Sequence, residues 1–144
     1  MDIGYIPVLL QSSDPLSVGN AADWSGQLPS GFILEGEWEV VLVSASFTSS
    51  LTANLSHYIF LDLCSAVPVG SQSLRLLHRT PPLSPANTLT YIQTTTTIVP
   101  WKLVDPAKSM VSTIRCTITD STGTPIPLVN PSTIEIVLRQ IRTP

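Results

Sequence analysis

The chain has 144 residues and a mass of 15.5 kDa, which fits one domain, and a domain of this length buries roughly two thirds of its unfolded surface without disulfide staples. Seven Lys and Arg against ten Asp and Glu give a net charge of -3, with no basic cluster beyond Arg75, His78 and Arg79, so direct nucleic-acid binding is not expected. No apolar run reaches the roughly 18 residues of a bilayer span, and Met1-Asp2-Ile3-Gly4 opens on an acid where a signal peptide is basic, which predicts a soluble chain made in the cytosol.

The first strand-like run is Ile3 to Gln11, and a broken piece from Asp23 to Leu34 follows it. Glu37 to Phe47 is the longest run; β-branched and aromatic residues dominate it, Gly36 breaks the chain before it and no Pro interrupts it, so an extended, largely buried conformation is favoured. Glu35, Glu37 and Glu39 recur there at spacing two. On a strand this puts all three on one face, about 7 Å from neighbour to neighbour, and predicts an acidic strip on a solvent or subunit face. A glycosidase pair has a similar separation, but its carboxylates come from different strands in a cleft.

Further runs extend from His57 to Leu63 and from Ser73 to Arg79, after which Arg79-Thr80-Pro81-Pro82-Leu83-Ser84-Pro85-Ala86-Asn87 must be a stiff, exposed excursion without ladder donors. Tyr91 to Val99 carries four consecutive Thr and reads as a β-branched strand with one wet face. In Met110 to Thr119, Val111, Thr113, Arg115, Thr117 and Thr119 alternate against Ser112, Ile114, Cys116 and Ile118. In Thr133 to Ile141, Ile134, Ile136 and Leu138 share one face. Eight strands with mostly long connections and no 3.6-residue period predict an all-β chain: one domain over 1–144, an eight-stranded jelly roll of two packed four-stranded antiparallel sheets. An immunoglobulin-like sandwich is the rival, but Trp101 lies between the cysteines outside any central strand.

Little in the chain points to catalysis, and no cofactor is expected. His57 and His78 are the only histidines, no His-x-His or Cys-x-x-Cys pair occurs, and Gly36 belongs to a Glu-Gly-Glu step unlike a phosphate-cradling loop. Cys64 and Cys116 each sit in an apolar run and are expected as buried, reduced thiols; a disulfide would need their Cα atoms within about 7 Å. Trp38 opens the most apolar strand and is expected in the core, so that Trp38→Ala should be the costly change and Trp24→Ala the milder one. Trp24 and Trp101, flanked by loop residues, are expected as contact residues. Ile3 and Tyr5 are too apolar for a free tail, and Arg75, His78 and Arg79 fit a polar or interface face. Charged residues are only 12% and the mean hydropathy is +0.30, low in charge for a soluble monomer; either part of the apolar excess lies at subunit contacts, or 13 Pro with many Ser and Thr replace surface charge.

Asn20-Ala21-Ala22-Asp23-Trp24, then Leu28-Pro29, then Leu34-Glu35-Gly36-Glu37-Trp38-Glu39-Val40-Val41-Leu42 is similar to the opening of the small single-jelly-roll capsid proteins of polinton-like viruses, adintoviruses and virophages. Asp62-Leu63-Cys64, Val69-Gly70 and Leu74-Arg75-Leu76-Leu77 follow in the order seen there, and Asp120-Ser121-Thr122-Gly123 with Ile134-Glu135-Ile136-Val137-Leu138-Arg139 resembles the family's closing turn and strand. Ser46-Phe47-Thr48 and Leu138-Arg139-Gln140 depart from its frequent Ile-Pro pair and His-Phe-Arg ending. The resemblance covers the chain from Leu9 onward. It implies a structural virion protein, the penton: a homo-pentamer at icosahedral vertices, beside capsomers of a major capsid protein, with no enzymatic activity. It also implies that the first and last strands lie side by side. The other reading is a carbohydrate- or ligand-binding jelly roll, with the Trp residues as a stacking platform.

Overall fold

The structure, a computed structural model, describes residues 4–14, 16–48, 55–82, 89–93, 101–107, 110–128 and 131–142. Among them are twelve strands and no helix: β1 (Tyr5–Gln11), β2 (Val18–Asn20), β3 (Asp23–Ile33), β4 (Glu37–Thr48), β5 (Tyr58–Leu61), β6 (Val67–Val69), β7 (Gln72–Leu74), β8 (Leu76–Arg79), β9 (Leu89–Gln93), β10 (Lys102–Leu103), β11 (Met110–Thr119) and β12 (Thr133–Arg142). One five-stranded sheet runs β1-β12-β4, with β9 and β10 both on the far edge of β4. The second runs β2-β3-β11-β5-β8. β6 and β7 form a separate two-stranded hairpin, and every pairing is antiparallel.

The sheets therefore number three, where two of four strands each were expected, and local chemistry accounts for the difference. The run from Ser73 to Arg79 is divided at Arg75: β7 turns away to pair with β6, while β8 continues into the second sheet beside β5. Asn20 adds β2 ahead of β3, because its side-chain oxygen accepts from the amides of Ala22 (2.9 Å) and Asp23 (3.0 Å) and closes a tight return. The strand expected at Tyr91 to Val99 begins two residues earlier, at Leu89, and Thr94 to Val99 lie outside the described residues. β9 pairs with Ser44–Thr48 and β10 with Glu39 and Val40, so the two share one edge of β4 like a single interrupted strand.

The core lies between the inner faces of the two large sheets. Val40, Leu42, Phe47, Ile134, Ile136 and Leu138 come from one side, and Trp24, Ile59, Leu61, Ile114, Cys116 and Ile118 from the other. β12 alternates as its sequence predicts, with Ile134, Ile136 and Leu138 inward. β11 does not. The pairing with β3 slips between Val111 and Thr113, and this irregularity turns Val111 inward on the same side as Ile114, against the simple alternation. A matching slip in β4 leaves Val43 between the pairs Leu42–Ile136 and Ser44–Glu135.

Trp24 corrects the expectation that it is a contact residue: it is 1% exposed and among the largest fully buried side chains. Although turn residues precede it, β3 places it opposite Cys116 with its ring in the core. Trp38 is also buried, and its indole Nε1 donates to Glu35 O at 2.8 Å. Trp24→Ala should therefore cost about 3–5 kcal/mol, as much as Trp38→Ala. Urea unfolding of the two variants checks this, and a Trp24→Ala midpoint equal to wild type would refute the burial.

Candidate functional site

With the inner faces committed to the core, the side chains able to act on other molecules stand on the outer faces and flanks. On the outer face of the first sheet, Tyr5, Arg139, Glu39 and Leu103 are in register across four strands. Arg139 Nε donates to Glu39 Oε1 at 2.7 Å, and its guanidinium lies 4.0 Å from the centre of the Trp101 ring. One turn of the ladder away, Arg142 stands 3.5 Å from Glu37. The expected acidic strip is thus absent: Glu37 and Glu39 are each matched to an arginine of β12, while Gly36, at φ 86°, turns Glu35 off the strand.

One flank is apolar. Tyr5 and Leu9 point outward from edge strand β1, and Leu16 and Val18 stand on or beside edge strand β2, with Val18 73% exposed. The two edges lie close together: Ser17, beside β2, donates its Oγ to Gln11 O of β1 at 2.7 Å, and Gly26 of β3 leaves room for Leu10 of β1, since a Cβ there would sit 3.1 Å from the Leu10 side chain. The opposite flank, formed by β8 and β10, is polar apart from the exposed Leu103 of β10. Arg75 Nη1 donates to Cys64 O at 2.7 Å and to Asp105 Oδ2 at 2.5 Å, Arg79 lies 5.7 Å from the centre of the Tyr58 ring, and burial and then Lys102 hold His78 below its ordinary pKa.

The residues expected as contacts are accordingly dispersed. Tyr5 belongs to the apolar flank; Arg75, His78 and Arg79 to the polar one; Trp101 to the outer face; Trp24 to the core; and Ile3 lies outside the described residues. Leu9, Leu16 and Val18 were missed. Alternation along Ile3 to Gln11 would have found Leu9, since Tyr5 and Leu9 share parity against Val8 and Leu10.

A cleft of about 580 Å³ lies on the outer face of the second sheet. Its floor is β5 and β11, and its walls are β7 and the turn at Gly123. Arg115 crosses from β11 to grip Asp23 of β3 with Nε and Nη2, at 2.9 and 2.8 Å. That hydrogen-bonded pair holds the Asp23 carboxyl below the usual range. Asp62 Oδ1 accepts from the Arg115 backbone N–H at 3.0 Å.

Both cysteines are free and buried, with no disulfide. Burial pushes the Cys64 thiol up to about 12 and Cys116 higher still, so neither supplies a thiolate nucleophile at neutral pH. Among the described residues no three His, Cys, Asp or Glu side chains are grouped to hold a metal ion, and no helix is long and apolar enough to cross a membrane. No protein-family model matches the chain, and no curated protein matches it.

His57 is a buried ionisable group. It is 3% exposed, its ring stacks 4.9 Å from that of Phe47, Nδ1 meets Leu55 O at 3.0 Å, and Nε2 has no partner among the described residues. Burial keeps its pKa low, outweighing the Leu55 hydrogen bond. The unfolded chain takes up this proton at about 6.5, before the folded one does. Stability is therefore full above that pH and falls as the pH drops toward the folded-state value. His57→Phe should flatten the decline in unfolding free energy between about pH 7 and about pH 5, as measured by denaturant titration; an unaltered slope would show that His57 is not its source.

Proposed function

We propose that this chain is a structural capsid subunit, folded as a jelly roll and assembling into the pentameric penton at icosahedral vertices, beside capsomers of a major capsid protein. The strand order supports the fold. Counting β1, β3, β4, β5, β8, β9 with β10, β11 and β12 as eight successive strands, the chain changes sheet at every step but β5 to β8, and β1 pairs with β12. This order supports a winding of two nested Greek keys, with β2 and the β6–β7 hairpin as additions.

The observation that carries the assembly is the unlikeness of the two flanks. A closed ring needs a heterologous contact, one surface of each copy meeting a different surface of the next. Here Tyr5, Leu9, Leu16 and Val18 stand on one side, and Arg75, His78, Arg79 and Lys102, with Leu103 as the exposed apolar residue among them, on the other. Exposed apolar residues gathered on a flank mark a contact surface more than scattered ones do. The sequence resemblance to single-jelly-roll capsid proteins selects five-fold over other rings, and a virion location follows from the same reading.

Native mass measurement should find five copies, either for the isolated protein or for the species released from particles. The double variant Leu9→Asp, Val18→Asp should abolish the ring while leaving the thermal midpoint of the subunit within a few degrees of wild type. A wild-type chain that stays monomeric and is absent from five-fold positions of assembled particles would overturn the proposal.

A further inference from the structure

We propose that the cleft between the β6–β7 hairpin and the outer face of β5 and β11 binds a neutral saccharide. This goes beyond the capsid reading and does not rest on it. A sugar ring offers an apolar C–H face and a rim of hydroxyls that both donate and accept. The cleft has a counterpart to each. Phe60, half-buried on β5 opposite Thr117, and Leu74 of the hairpin supply apolar surface, while Asp62, Gln72, Arg75 and Arg115 supply planar hydrogen-bonding groups around it.

Three of these four polar groups, Asp62, Arg75 and Arg115, are already fixed in place. Arg115 is held by Asp23 through two hydrogen bonds, Arg75 by Asp105 and Cys64 O, and the Asp62 carboxylate by the Arg115 backbone N–H. A guanidinium has five N–H donors, so each arginine keeps donors beyond those bonds. Binding then orders few side chains, which lowers its entropic cost. Charge selects the ligand class: both arginines are matched by carboxylates, leaving no excess positive charge on them to favour an anion. At about 580 Å³ the cleft lies within the range of small-molecule sites, about 300–1,000 Å³, and it is open at the surface, which suits one or two rings at the end of a glycan.

The test is a nuclear magnetic resonance titration of the isotope-labelled full chain with glucose, galactose, mannose, N-acetylglucosamine and their disaccharides, with sialic acid as the charged comparison. The expected result is a saturable shift with at least one neutral sugar, confined to Phe60, Asp62, Gln72, Arg75, Arg115 and their neighbours. Gln72→Ala, on the exposed hairpin and without a core role, and Phe60→Leu should each weaken that binding about tenfold, the loss of roughly one net contact. No saturable shift with any neutral sugar, tighter binding of sialic acid, shifts mapped elsewhere, or wild-type affinity in both variants would each overturn the assignment.

Discussion

The structure depends on keeping the apolar side chains of β4 and β11 turned inward over strands of twelve and ten residues. A strand alternates with a period of two, and a slip of one residue would turn its inward set to solvent. Both strands meet this constraint with one irregular residue. In β4 the unpaired Val43 lets Val40 and Leu42 on one side and Ala45 and Phe47 on the other all reach the core, while Ser44 turns out to hydrogen-bond Glu135. In β11 the slip beside Ser112 does the same for Val111 and Ile114. Because β4 pairs with β12, β9 and β10, its register sets that of the whole first sheet.

Once both inner faces are used in this way, recognition falls to what remains. The outer face of the first sheet is knitted by ion pairs between β4 and β12, which neutralise charge without creating a site; the exposed pair of Arg142 and Glu37 contributes little to stability. The flanks differ in character because the edge strands β1 and β2 carry apolar residues outward, whereas β8 and β10 carry bases, with Leu103 the apolar exception. The second sheet gains its concavity from an addition outside the sandwich, the β6–β7 hairpin that leaves the sheet at Arg75.

Much of the backbone was legible because strands announce themselves locally. The Gly36 break, the long apolar run behind it and the alternation of Ile134, Ile136 and Leu138 each depend on neighbours in sequence. What was hidden depends on partners far away. Trp24 looks like a loop residue until Cys116 of β11 is placed opposite it. Glu37 and Glu39 look like an acidic strip until Arg142 and Arg139 arrive from the other end of the chain. The cleft is harder still, since Phe60, Gln72 and Arg115 come from three strands and share no spacing that a motif could carry.

The placement of β12 between β1 and β4 also governs how the chain acquires its shape. Tyr5 must find Arg139, and Glu37 must find Arg142. Neither contact can form until Thr133–Arg142 has been synthesised, and pairings of such long sequence separation make folding slow. Throughout that interval β1 and the strongly apolar β4 are nascent strands lacking a shared neighbour, the state in which intermolecular strand pairing competes with folding. Premature termination ahead of Thr133 would make that interval permanent, leaving an aggregation-prone chain in place of a shortened sandwich.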